Sequence, residues 1–184
     1  VVTNQVVARI ADSTVLAGVN ATTSAVMNAA ADVALSSLSD AAIMAMTVGV
    51  GASGTVGVQA TGFGNVITNR VEAGIAGGTV RAGGAVGLAA KDQSQISSLG
   101  LSIAASGTAA VSAIIGANVI TNAVVAEIAG ATVSSGKALT LEAANASTIF
   151  GFAGGVAASG TAAVQVTVAA NVVANTTRAV IVYG

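Results

Sequence analysis

The stretch Gly116–Gly130, GANVITNAVVAEIAG, returns almost letter for letter at Gly64–Gly77 as GNVITNRVEAGIAG. A third version opens at Ala170 (ANVVANTTRAVI) and a worn one at Val1 (VVTNQVVARIA). Each places an asparagine in the same slot: Asn4, Asn69, Asn122 and Asn175. Other markers fix the interval. Ser-Gly-Thr triplets begin at Ser53, Ser106 and Ser159, 53 residues apart, and Asn65, Asn118 and Asn171 keep the same step. Self-similarity at a long fixed interval is the signature of a stacked repeat architecture. The units run about 1–64, 65–117 and 118–170, with a partial unit at 171–184. The first unit is longer, since Asn4 to Asn69 is 65 residues, and the surplus falls at about residues 18–32. That insert has a capping threonine and good helix formers, so a short helix or a loop is expected there.

Within each unit the hydrophobic period is 2. Phe152, Gly154, Val156 and Ala158 alternate with small residues, as do Ala162, Val164, Val166 and Val168; Leu99, Leu101, Ile103, Ala105, Ala109, Val111, Ala113 and Ile115 are their counterparts. Strict alternation means strands with one aliphatic face and one flat, small-residue face. The aliphatic face is expected to be the core side. The small face, Ala153, Gly155, Ala157, Ala163 and Thr167, is expected to be smooth enough to pack against another sheet. Ser53-Gly54, Ser106-Gly107 and Ser159-Gly160 mark tight turns, either hairpins or corners between faces of a coil. Beyond them the alternation slips at Val66-Ile67, as at a bulge or bend. Ile67, Asn69, Val71, Ala73 and Ile75 then share one side, with Arg70 and Glu72 on the other. Two short strands follow, Thr79–Ala82 and Ala85–Ala90, with Val86, Leu88 and Ala90 inward.

The recurrent asparagine therefore lies on the aliphatic side. If equivalent strands stack in register about 4.8 Å apart, Asn4, Asn69, Asn122 and Asn175 form a column. Side-chain amides in such a column donate to one neighbour and accept from the other, which relieves a burial cost of about 1–3 kcal/mol per orphan group. Asn65 is read instead as a turn residue beside the bend. Charges agree with parallel stacking: Arg70 would meet Ala123, Arg81 Ser134, Glu127 Gly74 and Lys137 Gly84, so no like charges adjoin.

Composition narrows the function. Hydrophobic residues make up 54% of 184 residues, aromatics 2% and charges 7%, and the net charge is −1. That balance gives no electrostatic footprint for nucleic acid. Without cysteine or histidine, disulfides, thiolate metal sites and imidazole chemistry are excluded. The carboxylates Asp12, Asp32, Asp40, Asp92, Glu72, Glu127 and Glu142 sit at turns and outward positions and none recurs as a pair, so neither an enzyme nor a cofactor is expected. Charge-free runs such as Ala41–Asn69 are long, but their period-2 pattern argues against a membrane span. Val1 opens inside a repeat without a leader pattern, so an excerpt of a longer chain is expected.

The pattern SGTAAV…NVITN…A…I…G, seen at Ser106–Ala143 and partly at Ser53–Ala90, resembles repeats of very large bacterial surface adhesins of the filamentous haemagglutinin-like and autotransporter types. The resemblance implies a right-handed parallel β-solenoid, export to the cell surface and a stalk or adhesive role, with no catalytic residues. The expectation is an all-β, elongated solenoid-like stack of 53-residue units serving as a non-catalytic structural or adhesive module. Its partners would be neighbouring repeats or further copies. Alternatives are a self-assembling subunit of an extracellular filament and a flat-face binder of ice or carbohydrate.

Overall fold

A computed structural model describes residues 1–183, and every regular element among them is a β-strand. The first layer holds β1 (Val2–Ala11), β2 (Thr14–Ala17), β3 (Val33–Ser39) and β4 (Ala42–Ser53). The second holds β5 (Val56–Ala76), β6 (Thr79–Ala82), β7 (Val86–Asp92) and β8 (Gln95–Ser106). The third holds β9 (Ala109–Ala129), β10 (Thr132–Ser135), β11 (Leu139–Asn145) and β12 (Thr148–Ser159), and β13 (Ala162–Val173) and β14 (Thr176–Val182) lie on it.

Equivalent strands of successive layers pair in parallel and build four sheets, giving a β-solenoid-like stack. The long sheet runs β1-β5-β9-β13 with β14 beside β9, and three-stranded sheets form from β2, β6 and β10, from β3, β7 and β11, and from β4, β8 and β12. From β5 to β9 the register holds without interruption, from Val56↔Ala109 to Ala76↔Ala129. A slip at Val66-Ile67 is therefore absent. The same face of β9 points inward from Ala110 to Ala126, and what changes along it is the chemistry of the inward residues.

The insert at residues 18–32 forms no helix. Asn20 Oδ1 accepts hydrogen bonds from the Thr22 and Thr23 amides (2.9 Å each), and an isolated antiparallel bridge joins Val19 to Val26. The local side-chain acceptor thus competes with helical pairing and holds the segment as a loop.

Each layer has two parts. In the body, the C-terminal half of the long strand packs against the two short strands around a closed aliphatic core of Val71, Ile75, Val80, Val86, Leu88 and Val124. The corner after the long strand needs a left-handed backbone: Asp12, Gly77 and Gly130 occupy equivalent positions with φ of 46°, 66° and 56°. Glycine adopts that conformation without a Cβ penalty, which explains its return there. In the second part, β4, β8 and β12 run outward, and the N-terminal halves of β5 and β9, with β13 beside β9, run back. The two arms belong to different sheets stacked face to face, so Ser53-Gly54, Ser106-Gly107 and Ser159-Gly160 are corners between sheets, not hairpin turns. This two-layered projection is here called the fin.

Candidate functional site

The interior of the layers alternates in polarity from body to fin tip. Beyond the body core lies a polar cluster, then an apolar one of Ala41, Ile67, Ile96 and Ile120, then a second polar column, then the narrow seam of the fin.

The first polar cluster centres on Asp92, only 1% exposed. Its Oδ1 accepts from Asn122 Nδ2 (2.6 Å) and the Ser94 amide (3.1 Å), and its Oδ2 from Asn69 Nδ2 (3.1 Å) and Ser94 Oγ (2.9 Å). Sequence reasoning placed Asp92 among the solvated carboxylates. It is buried, because it continues the inward face of β7 after Val86, Leu88 and Ala90. Its column neighbours are Ser39 and Asn145, so no repeat marks it as an inward acid. Asn145 Nδ2 and Ser147 Oγ add weaker contacts at 3.4 and 3.3 Å. With amides and hydroxyls as its only polar partners, Asp92 is a structural acceptor for the asparagines.

Asn4, Asn69 and Asn122 stand in one register column, yet their amides do not chain to one another. Asn122 Oδ1 accepts from the Asn69 backbone N–H and Asn175 Oδ1 from the Asn122 backbone N–H, both at 2.9 Å. Their NH2 groups turn sideways to Asp92, Ser94 and Asn145. Asn69 Oδ1 has no partner, so the pattern stops short of Asn4. The amide-to-amide ladder lies four residues earlier, and Asn65 is a member of it and not a turn residue. Asn65 Nδ2 donates to Asn118 Oδ1 and Asn118 Nδ2 to Asn171 Oδ1, each at 2.8 Å. Ser98 Oγ accepts from Asn118 Nδ2 across the fin root at 2.9 Å. Asn65 also recurs at the repeat interval, and that was the available signal.

The fin reverses the expected orientation. Its seam is lined by the small and polar residues. Ser112 Oγ donates to Ser102 Oγ at 2.8 Å between the two arms. A Cβ added at Gly100 would lie 2.5 Å from Phe63 Cε1 and 2.6 Å from Ile114 Cδ1. The face of Ala153, Gly155, Ala157, Ala163 and Thr167 is this seam in the outermost layer. A Cβ at Gly155 would meet Gln165 Cδ at 2.6 Å, and Ile114 and Ala110, which pair with Thr167 and Ala163, are buried. Ala153, Gly155 and Ala157 are thus half-buried between the arms, whereas Ala163 and Thr167, in the last strand of the stack, are exposed.

The large aliphatic residues point out. Met44 is 91% exposed, Phe150 69% and Ile115 61%. On the outward arm, Met46, Leu99, Ile103, Phe152 and Val156 continue the surface, and on the returning arm Val58, Val111, Val164 and Val166 do. The physical reason is that a narrow seam between two sheets is filled mostly by Gly, Ala and Ser, with glycines such as Gly100 and Gly155 making room for the few larger chains in it, Phe63, Ile114 and Gln165. Both outer faces are free of charge. An exposed apolar surface of several hundred Å² marks an interaction site in a folded protein.

Elsewhere a shallow groove of about 440 Å³ crosses the long sheet outside the asparagine column, lined by Thr3, Thr68, Thr121, Gln5 and Arg70. Arg70 Nη2 is engaged by Glu72 Oε2 at 2.7 Å, which leaves the groove without a free charge. The fin is therefore the surface with the strongest physical claim to a function. No helix among the described residues is long and apolar enough to cross a membrane. No family model, curated protein or solved structure matches the chain.

Proposed function

We propose that this chain is a non-catalytic structural repeat module of a secreted or cell-surface fibrous protein, built from 53-residue coils. The observation that carries the reading is the constant in-register offset: Asn65↔Asn118, Leu88↔Leu141 and Ser53↔Ser106 lie in three different sheets and share one step along the chain. A rod of this design gains length by repetition, because each coil needs only its neighbours for stability. Display at distance from a surface is the task such a rod serves. The test is a concatemer series. Each added unit of this type should lengthen the particle by about 4.8 Å at constant cross-section, read by small-angle X-ray scattering. Growth in width, or no growth, defeats the proposal.

A filament subunit is the second reading, favoured by the unpaired outer edges of the terminal sheets among the described residues, since open edges template further pairing. Fibres that lengthen with protein concentration would favour it over a covalent stalk.

A further inference from the structure

We propose that the outward arm of the fin, the face built by β4, β8 and β12, docks face to face on the same surface of a second copy of this chain. This lateral pairing is independent of end-to-end stacking of layers.

Three observations select a second copy as the occupant. The first is size: strands of 12 residues in a three-stranded sheet give a face of about 14 by 40 Å, so pairing buries about 1,100 Å² in total, just above the roughly 1,000 Å² a specific interface needs. The second is relief. Across the strands, Met44, Ser97 and Phe150 form one row and Val48, Leu101 and Gly154 another. Ser97 leaves a recess of about 250 Å³ between Met44, Met46, Leu99 and Phe150, open to an aliphatic or aromatic side chain. A second copy carries projecting chains of that kind at the same strand spacing, so its ridges match these grooves by construction. The third is chemistry. This arm carries Met44, Met46, Phe150 and Phe152 on its outer face, residue types enriched in interface cores, whereas the outer face of the returning arm offers mainly valine and alanine.

A bilayer is the competing occupant, since both faces of the fin are apolar. The asymmetry between the arms weighs against it: a bilayer would take the returning face as readily, whereas Met44, Met46, Phe150 and Phe152, the large flexible and aromatic exposed chains of the fin, stand on this face alone.

The test uses the full chain in sedimentation velocity from roughly 1 to roughly 100 µM. The expectation is a dimer whose dissociation constant rises about 100-fold in Leu99→Asp and stays unchanged in Val111→Asp on the opposite arm. Because the chain has no cysteine, Leu101→Cys at the centre of the middle strand gives a second readout that needs no destabilising change. It should cross-link between copies with a short bismaleimide, and Val111→Cys should not. A wild-type monomer at every concentration overturns the proposal. So does equal dissociation by both aspartate variants, or cross-linking through Val111→Cys alone. Co-flotation of monomers with neutral phosphatidylcholine vesicles overturns it in favour of the bilayer.

Discussion

Body and fin are made by the same strands in the same register, yet they solve burial in opposite ways. In the body, Val71, Val80 and Leu88 point into the stack, while Arg70, Arg81 and Lys91 stand outside. In the fin, Ser102, Ser112 and Gly100 point in, and Leu99, Ile103 and Val111 stand outside. β9 passes from one regime to the other without a bulge. Alternation along a strand therefore tells which residues share a face. It does not tell which face is covered. Cavity width decides that: the body encloses space for many branched side chains, and the seam between two closely stacked arms admits few, Ile114 among them.

The largest effect should separate the two regimes. Leu88→Asp places an uncompensated charge in the body core and should cost about 3–5 kcal/mol, measured by urea denaturation followed by circular dichroism. Asp92→Leu should come next, at about 3 kcal/mol, because Asn69, Asn122 and Ser94 keep buried donors without an acceptor. Asn118→Leu should cost about 2 kcal/mol, since Asn65 and Asn171 each lose their ladder partner; a neutral variant would mean that the column contributes shape alone. Gly100→Ala forces Phe63 and Ile114 aside in the seam and should cost about 1 kcal/mol. The smallest effect is the sharpest test of the comparison. Ile103→Asp on the outer fin face should stay within about 1 kcal/mol of the parent protein at concentrations where it is monomeric. A loss as large as that of Leu88→Asp would show the face to be covered within one chain, and the contrast between body and fin would fail.

Much of the architecture was legible in the sequence. The all-β class follows from period 2, and the parallel stacking from the long self-similarity. Val86 and Leu88 were placed inward correctly because their flanking strands carry charges on the other side. The fin carries no charge on either face, so the sequence held no outward marker and the aliphatic side was assigned to the core by default. Hydrogen-bonding capacity was the neglected clue: Ser98, Ser102, Ser112 and Gln165 lie on the small face, and an outward surface has no need to pair them with one another. The exchange between the two asparagine columns has a similar cause. Both recur identically, and only the position of Asp92 and Ser94 opposite Asn69 decides which amides turn sideways and which chain together. Asp92 itself could not be found by repetition, since its column reads Ser39, Asp92 and Asn145.

The constant register also governs how the chain reaches this state. Nearly every pairing partner lies one full unit away, so native contacts form only after a large loop has closed, and such non-local topologies fold slowly. Closing a loop of this length costs about 3.5 kcal/mol of chain entropy beyond a constant term. The first two layers meet that cost before either offers a finished edge. Every later layer meets it against a rigid template whose asparagine column and corner glycines already mark the alignment. Folding is therefore a nucleation followed by growth, with a slow start and a propagation rate that does not depend on how many layers are already in place.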